Sequence, residues 1–278
     1  MSRLWMRTGA GVVAVAGAAH AQEAINMPSA TQPAAEHFTF RALYRYTSLD
    51  DDPTPRGRSA DEHRIDAIIA YGITGELSAS LTLPLATRRT TFDDATPSDT
   101  NVGVMDPTAM LKWRFWKEDL GPVDTVRVSL LVGAELPIGD GVYTSGSVDP
   151  IVGCVITSIL GRHGLNGALQ YTLTTDGDDE ALTFAQGQAD ALRADGSWLY
   201  RISPEKYAED TKAAVYSVLE LNWRYETNGD RELFLSPGLL YEAKTWAAEI
   251  GVQIPIEQSV NHRPETEFVV VAGIRFLF

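Results

Sequence analysis

The chain has 278 residues, 44% of them hydrophobic and 22% charged, with a formal net charge of −14 and one cysteine. This balance excludes a disordered tail, a collagen-like repeat and a disulfide-stapled miniprotein. Cys154 alone forms neither an intramolecular disulfide nor a multi-cysteine metal site. The acidic excess argues against a nucleic-acid partner, which needs a basic face to neutralise phosphates.

In chain order, residues 1–21 read as a signal peptide. Arg3 and Arg7 form a basic start, an apolar run follows from Gly9 to Ala19, and Ala19-His20-Ala21 is an A-x-A cleavage site. The apolar run is too short to span a membrane, and no later stretch reaches the length of a transmembrane helix. Residues 22–37 are rich in small residues and carry two prolines, and they read as a flexible periplasmic lead-in, too short for a plug.

From residue 38 onward the dominant signal is period-two alternation. At 126–136, Val126, Val128, Leu130, Val132, Ala134 and Leu136 alternate with Arg127, Ser129, Gly133 and Glu135. Residues 65–71, 77–85, 109–115, 215–225 and 246–256 show the same pattern, with one apolar and one polar face. Twelve strands are predicted, near 38–47, 64–73, 76–88, 107–117, 125–138, 150–160, 165–175, 189–201, 213–226, 231–243, 246–256 and 266–278. The sixth is apolar on both parities, and Asp190, Arg193 and Asp195 blur the eighth. Short and long connectors mostly alternate, as periplasmic turns and external loops do in outer-membrane barrels.

Besides that alternation of connectors, two features favour a membrane barrel over a soluble β-sandwich or a lipocalin-like barrel. Phe268, Val270, Ala272, Ile274, Phe276 and Phe278 alternate to the last residue, and a terminal aromatic on such a strand resembles the signal read by the barrel-assembly machinery. Phe115, Tyr241, Trp246 and Phe278 fall near one set of strand ends, and Trp223 and Tyr225 near the other, as two aromatic girdles would. Pro84, Pro137 and Pro255 each follow a hydrophobic residue at what reads as the end of an outward-running strand. They suggest a constricted or bent outer rim. The expected fold class is therefore all-β, a single antiparallel transmembrane β-barrel of about twelve strands over residues 38–278.

Several segments carry a family resemblance: Tyr71-Gly72-Ile73-Thr74, Leu111-Lys112-Trp113-Arg114-Phe115, Gly133-Ala134-Glu135-Leu136-Pro137-Ile138-Gly139-Asp140, Ser236-Pro237-Gly238 and Gly251-Val252-Gln253-Ile254-Pro255. The chain resembles, from about residue 38 to 278, the outer-membrane transporter family named for the MetA pathway of phenol degradation. The resemblance implies an outer-membrane channel. It says little of the solute, because the family name comes from pathway context.

The polar parity is expected to line the lumen. Its cations are Arg64, Lys112, Arg114, Arg127, Arg224 and Arg275, and its anions Asp66, Glu135, Glu220, Glu242 and Glu249. Arg114 with Glu135, and Glu220 with Glu242 and Arg275, are the expected partners across the lumen. Mixed signs favour a structural ion-pair network over a charged ladder that selects a permeant. The acidic excess lies in loops, at Asp50-Asp51-Asp52, Asp93-Asp94, and Asp176 with Asp178-Asp179-Glu180. It reads as solvated surface, with divalent-cation bridging to lipopolysaccharide as the functional alternative.

No catalytic constellation emerges. His63 and His262 lie in expected loops, neither starts an H-x-S-N pattern, and Asp61-Glu62-His63 is an isolated acidic-histidine cluster. No cofactor and no metal are implied. The expected partners are outer-membrane lipid and lipopolysaccharide, the assembly machinery through Phe278, and a small solute. The expected function is passive passage of small solutes across the outer membrane of a Gram-negative-type bacterium. A closed or plugged barrel with a structural or surface-interaction role is the alternative, and a barrel enzyme the third reading.

Overall fold

The computed structural model describes residues 23–94, 96–175, 189–208 and 210–278. The signal peptide read at 1–21 and the acidic cluster at 176–180 lie outside the described residues. Within them the strands are β1 Phe38–Asp50, β2 Arg58–Gly72, β3 Leu77–Phe92, β4 Asp99–Val104, β5 Thr108–Asp119, β6 Thr125–Glu135, β7 Asp149–Leu160, β8 His163–Thr172, β9 Ala191–Ser203, β10 Ala213–Glu226, β11 Arg231–Ala243, β12 Trp246–Ser259 and β13 Glu265–Leu277. A 3-10 turn at Gly141–Tyr143 stands between β6 and β7.

All ladders are antiparallel. β1 pairs with both β2 and β13, and this closes the sheet on itself. β4 and β5 share one edge of β3. Asp99–Val104 lies against its upper part and Thr108–Trp113 against its lower part. The two form a single stave interrupted at 105–107, so thirteen strands make a closed barrel of twelve staves.

Alternation explains why the sheet closes this way round. Ile65 and Ile69, Leu81, Leu83 and Leu85, Leu130 and Val132, Leu219 and Leu221, and Ile250 and Ile254 all point outward and are exposed. Their chain neighbours Asp66, Arg127, Ser129, Glu220 and Glu249 point inward and are buried. A water-soluble barrel would bury the first set. Here the apolar set forms a continuous outer belt, the surface a bilayer solvates. Aromatic pairs flank the belt. Phe38–Tyr71 (ring centroids 4.4 Å apart), Tyr241–Trp246 (5.1 Å) and Trp113–Phe115 (5.8 Å) lie at the end that carries the tight turns. Tyr46–Phe268 (5.8 Å) and Trp223–Tyr225 (6.1 Å) lie at the end that carries the long loops.

The break in the stave has a local cause. Pro107 cannot donate to a ladder, and β6 ends at Glu135 rather than at Ile138, so β4 has no strand on its far edge. The chain from 139 to 145 takes that place. Asp140 donates its N–H to the Val104 carbonyl (2.8 Å) and accepts the Val104 N–H on Oδ2 (3.1 Å). The Asp106 carboxylate accepts from the N–H groups of Gly139 (2.8 Å) and Ser145 (2.7 Å). This folded loop, built from the end of the Gly133–Asp140 motif, forms part of the lumen wall at the long-loop end.

Candidate functional site

The inner face carries the charges that strand parity selects. Asp66, Arg127, Glu220, Glu249 and Arg275 are buried there, and Arg64, Lys112, Arg114, Glu135, Arg224 and Glu242 share the same parity on β2, β5, β6, β10 and β11. Most are engaged. Asp66 meets Arg64 at 3.0 Å and Arg45 at 3.5 Å, Arg41 meets Glu249 at 2.5 Å, Arg224 meets Glu226 at 2.9 Å, and Arg127 donates to Thr125 Oγ1 at 3.3 Å.

The lumen also holds a segment of the chain itself. Of residues 22–37, read from the sequence as a flexible periplasmic lead-in, 23–33 fold back inside the barrel and 34–36 reach its tight-turn end. Ala24, Ile25, Met27, Ala30, Thr31 and Gln32 are all buried. The anchors come from staves all round the wall. Glu220 on β10 accepts the N–H of Ile25 (2.6 Å) and of Asn26 (3.0 Å). On β1, Arg41 donates to the Ile25 carbonyl (2.7 Å) and Arg45 to Asn26 Oδ1 (3.0 Å). Lys112 on β5 donates to the carbonyls of Ser29 (2.8 Å) and Thr31 (2.7 Å), and Thr157 on β7 accepts the Ala30 N–H (2.8 Å). Arg275 on β13 pairs with Glu23 and, at 3.4 Å, with Glu249. An irregular segment without internal backbone bonding is stable in a lumen only if wall side chains satisfy its polar groups, and these do.

Apolar packing completes the fit. Ile25 joins Leu43, Leu199, Tyr216, Val218 and Leu240 in one buried cluster, and Ala24, Met27 and Ala30 join Leu131, Val155 and Ala168 in another. Gly238 and Gly251 face each other across β11 and β12, and a Cβ at Gly238 would lie 2.7 Å from Ile25 Cδ1. At the tight-turn end a Cβ at Gly72 would lie 2.0 Å from the Ala34 carbonyl oxygen, where Glu36 donates its N–H to Gly72 (2.7 Å). Three of the short motifs noted in the sequence thus make room for this segment.

The segment takes the partners that the sequence suggested for one another. Arg114 does not reach Glu135. It lies toward the tight turns, where it donates to the Gly75 carbonyl, whereas Glu135 ends the adjacent strand β6 at the long-loop end. Glu220 is held by the segment's backbone, not by Arg275. The prolines also differ from expectation. Pro84 sits midway along β3, Pro255 lies beside the bulge opposite Leu233 and Phe234 with β12 running on to Ser259, and Pro137 lies beyond the end of β6. They do not form one rim.

Toward the long-loop end, the lumen contains a cavity of about 350 Å³. Its walls include Arg64, Asp66, Pro84, Glu135, Gln170, Thr172 and Arg193, and the loop residues Val142–Ser145 close one side. The acidic loops are partly satisfied from within. Asp52 accepts from Arg58 Nε at 2.5 Å and from Thr54 Oγ1 at 2.8 Å. Burial pushes its carboxyl up, and the Arg58 and Thr54 bonds outweigh this and hold it below the usual carboxylate range. Asp61 and His63 point outward, where they bond Tyr46 and Tyr44, while Glu62 points inward to Arg88 at 2.9 Å. His262 bonds Asp230, whose carboxylate also accepts the N–H groups of Asn261 (2.8 Å) and His262 (3.3 Å). Asp61 and His63 thus serve neighbouring tyrosines and form no dyad.

Sequence reasoning missed Glu23, Ile25 and Asn26, and the wall residues Arg41, Arg45 and Thr157 that bind the segment. The available signal was the set of inward-facing glycines, which have no purpose in a water-filled lumen.

No protein-family model matches the chain, and no curated protein matches it. Solved structures do. The COG4313 outer membrane channel from Pseudomonas putida F1 superposes with a TM-score of 0.54 at 13% identity, covering 91% of this chain and 97% of that one. Looser likenesses include the translocator domain of the autotransporter NalP from Neisseria meningitidis (TM-score 0.46, 11% identity, 87% and 88% covered) and the CymD monoaromatic hydrocarbon channel (TM-score 0.44, 8% identity, 88% and 89% covered). At such identities what is shared is the fold, so the chain is similar to an outer-membrane channel in its closed antiparallel barrel.

Proposed function

We propose that this protein is an outer-membrane channel for small solutes, narrowed by its own N-terminal segment. The observation that carries this reading is a barrel with an apolar outer belt, a charged inner face and a cavity at the long-loop end. The tight turns then face the periplasm and the long loops the exterior. The fold shared with the Pseudomonas putida channel supports the assignment. The resemblance to the family named for the MetA pathway supports it too, without indicating an aromatic solute. Phe278, at the end of a strand exposed to lipid, supports recognition by the barrel-assembly machinery. The acidic external loops support a role at the lipopolysaccharide surface.

A plugged barrel with a structural or surface role is the second reading, favoured by the many anchors on residues 23–36. Planar-bilayer recording on the refolded mature chain separates the two. A channel shows discrete conductance steps, and deletion of residues 23–33 raises the unit conductance severalfold. A folded barrel that stays silent in both forms overturns the channel reading.

A further inference from the structure

The charges on the wall of the outer cavity balance formally, but their pairing does not. The cavity is lined by three cations, Arg64, Arg88 and Arg193, and three anions, Asp66, Asp106 and Glu135. Arg64 and Asp66 pair with each other (3.0 Å), Arg88 pairs with Glu62 (2.6 Å), and Asp106 is occupied by the N–H groups of Gly139 and Ser145. Arg193 and Glu135 remain: among the described residues neither has a hydrogen bond or an ion pair within 4 Å, and they act on one another across the cavity by charge alone.

They stand at opposite sides of the cavity. Glu135 ends β6 beside Asp149, which is bound by Ser147 Oγ (2.9 Å) and the Thr175 N–H (2.9 Å). Arg193 stands on β9, directly opposite Arg224 on β10. Three strand spacings, about 14 Å of wall, separate the backbones of β6 and β9. Gln170 and Thr172 on β8 offer neutral polar atoms between them. Asp106 and Asp149 thus stand near Glu135, and Arg193 faces it from β9 beside Arg224, which Glu226 holds at 2.9 Å.

We propose that this cavity is a binding site for small zwitterions, with the solute's carboxylate on Arg193 and its ammonium group on Glu135. A solute with one charge leaves one wall group without a partner. A solute carrying both charges satisfies both and brings no net charge into a vestibule whose own charges cancel. The inference deepens the channel reading and rests on it for the cavity's role as the outer mouth, though binding itself does not require an open pore.

The test uses the folded mature protein in detergent and in bilayers, with 4-aminobutyrate and 6-aminohexanoate as zwitterions and butyrate and butylammonium as singly charged controls. Titration calorimetry is expected to show the zwitterions binding at least tenfold more tightly than either control. R193Q and E135Q are each expected to lose that advantage, and the charge-swapped double variant R193E/E135R to regain part of it. Heat-modifiable migration on gels verifies that each variant is folded, and for any variant that does not fold the comparison of the four solutes on the parent protein still decides. Equal binding of all four solutes, or a preference unchanged in folded R193Q and E135Q, overturns the proposal. Zwitterion binding without conductance defeats the channel reading and leaves this inference standing. Conductance without zwitterion preference does the reverse.

Discussion

At the scale of single residues, Glu220 has the most consequential position in the lumen. Its two carboxylate oxygens accept two adjacent backbone N–H groups of the inserted segment, at 2.6 Å and 3.0 Å. Hydrogen bonds to a charged acceptor contribute about 1.5–3 kcal/mol each, and a buried donor left alone costs a similar amount. Glu220→Ala is therefore expected to loosen residues 23–36 while the barrel remains closed. Amide exchange at Ile25 and Asn26 checks this, with protection falling at least tenfold, and Glu220→Gln keeping part of it. Unchanged protection would mean that the segment is held by its apolar contacts alone.

At the scale of elements, the inserted segment and β11–β12 depend on one another. The facing glycines Gly238 and Gly251 leave the space that Ile25 fills. A valine at position 238 brings its Cβ against the Ile25 side chain and the Ile250 carbonyl, and overpacking of this kind costs about 1–3 kcal/mol. Gly238→Val is expected to expel Ile25 and to make the N-terminal segment sensitive to protease in the otherwise resistant folded protein. A companion change, Ile25→Ala, removes the clash with the segment, though not that with the Ile250 carbonyl, and is expected to restore resistance in part. If Gly238→Val remains as resistant as the parent, the segment does not rely on this pocket.

At the scale of the whole molecule, stability follows from the sorting of side chains between lipid and lumen. Leu219 points to lipid midway along β10, next to Glu220, which points inward. An arginine on the lipid face near mid-membrane costs about 2–4 kcal/mol. Leu219→Arg is expected to lower the denaturation midpoint of the folded barrel in lipid vesicles by that amount, whereas Leu221→Ile, which keeps the apolar face, leaves it nearly unchanged. No loss of stability in Leu219→Arg would mean that this face is not lipid-exposed. The charged groups inside have a different effect. They hold the segment and neutralise one another, and at the outer cavity Arg193 and Glu135 face each other without a hydrogen bond among the described residues.

By itself, the sequence determined the class of fold and all of its strands but β4. Eleven of the twelve predicted strands correspond to single strands of the barrel, and the remaining one, 107–117, to the lower part of the interrupted stave. This was legible because a strand's facing is written in every second residue, and Arg127 or Leu219 needs no distant partner to declare its side. What lies between the staves was not legible. The break at 105–107, the early end of β6 at Glu135 and the loop that replaces its pairing depend on Asp106 and Asp140 meeting groups more than thirty residues away. The fate of residues 23–36 was hidden for the same reason. They carry no periodicity of their own, and their stability comes from Arg41, Lys112, Thr157, Glu220 and Arg275, which only closure of the barrel brings to one place. Pairing of charges inside the lumen was likewise decided by the tertiary structure, since parity tells which way a side chain points but not at what height it meets another.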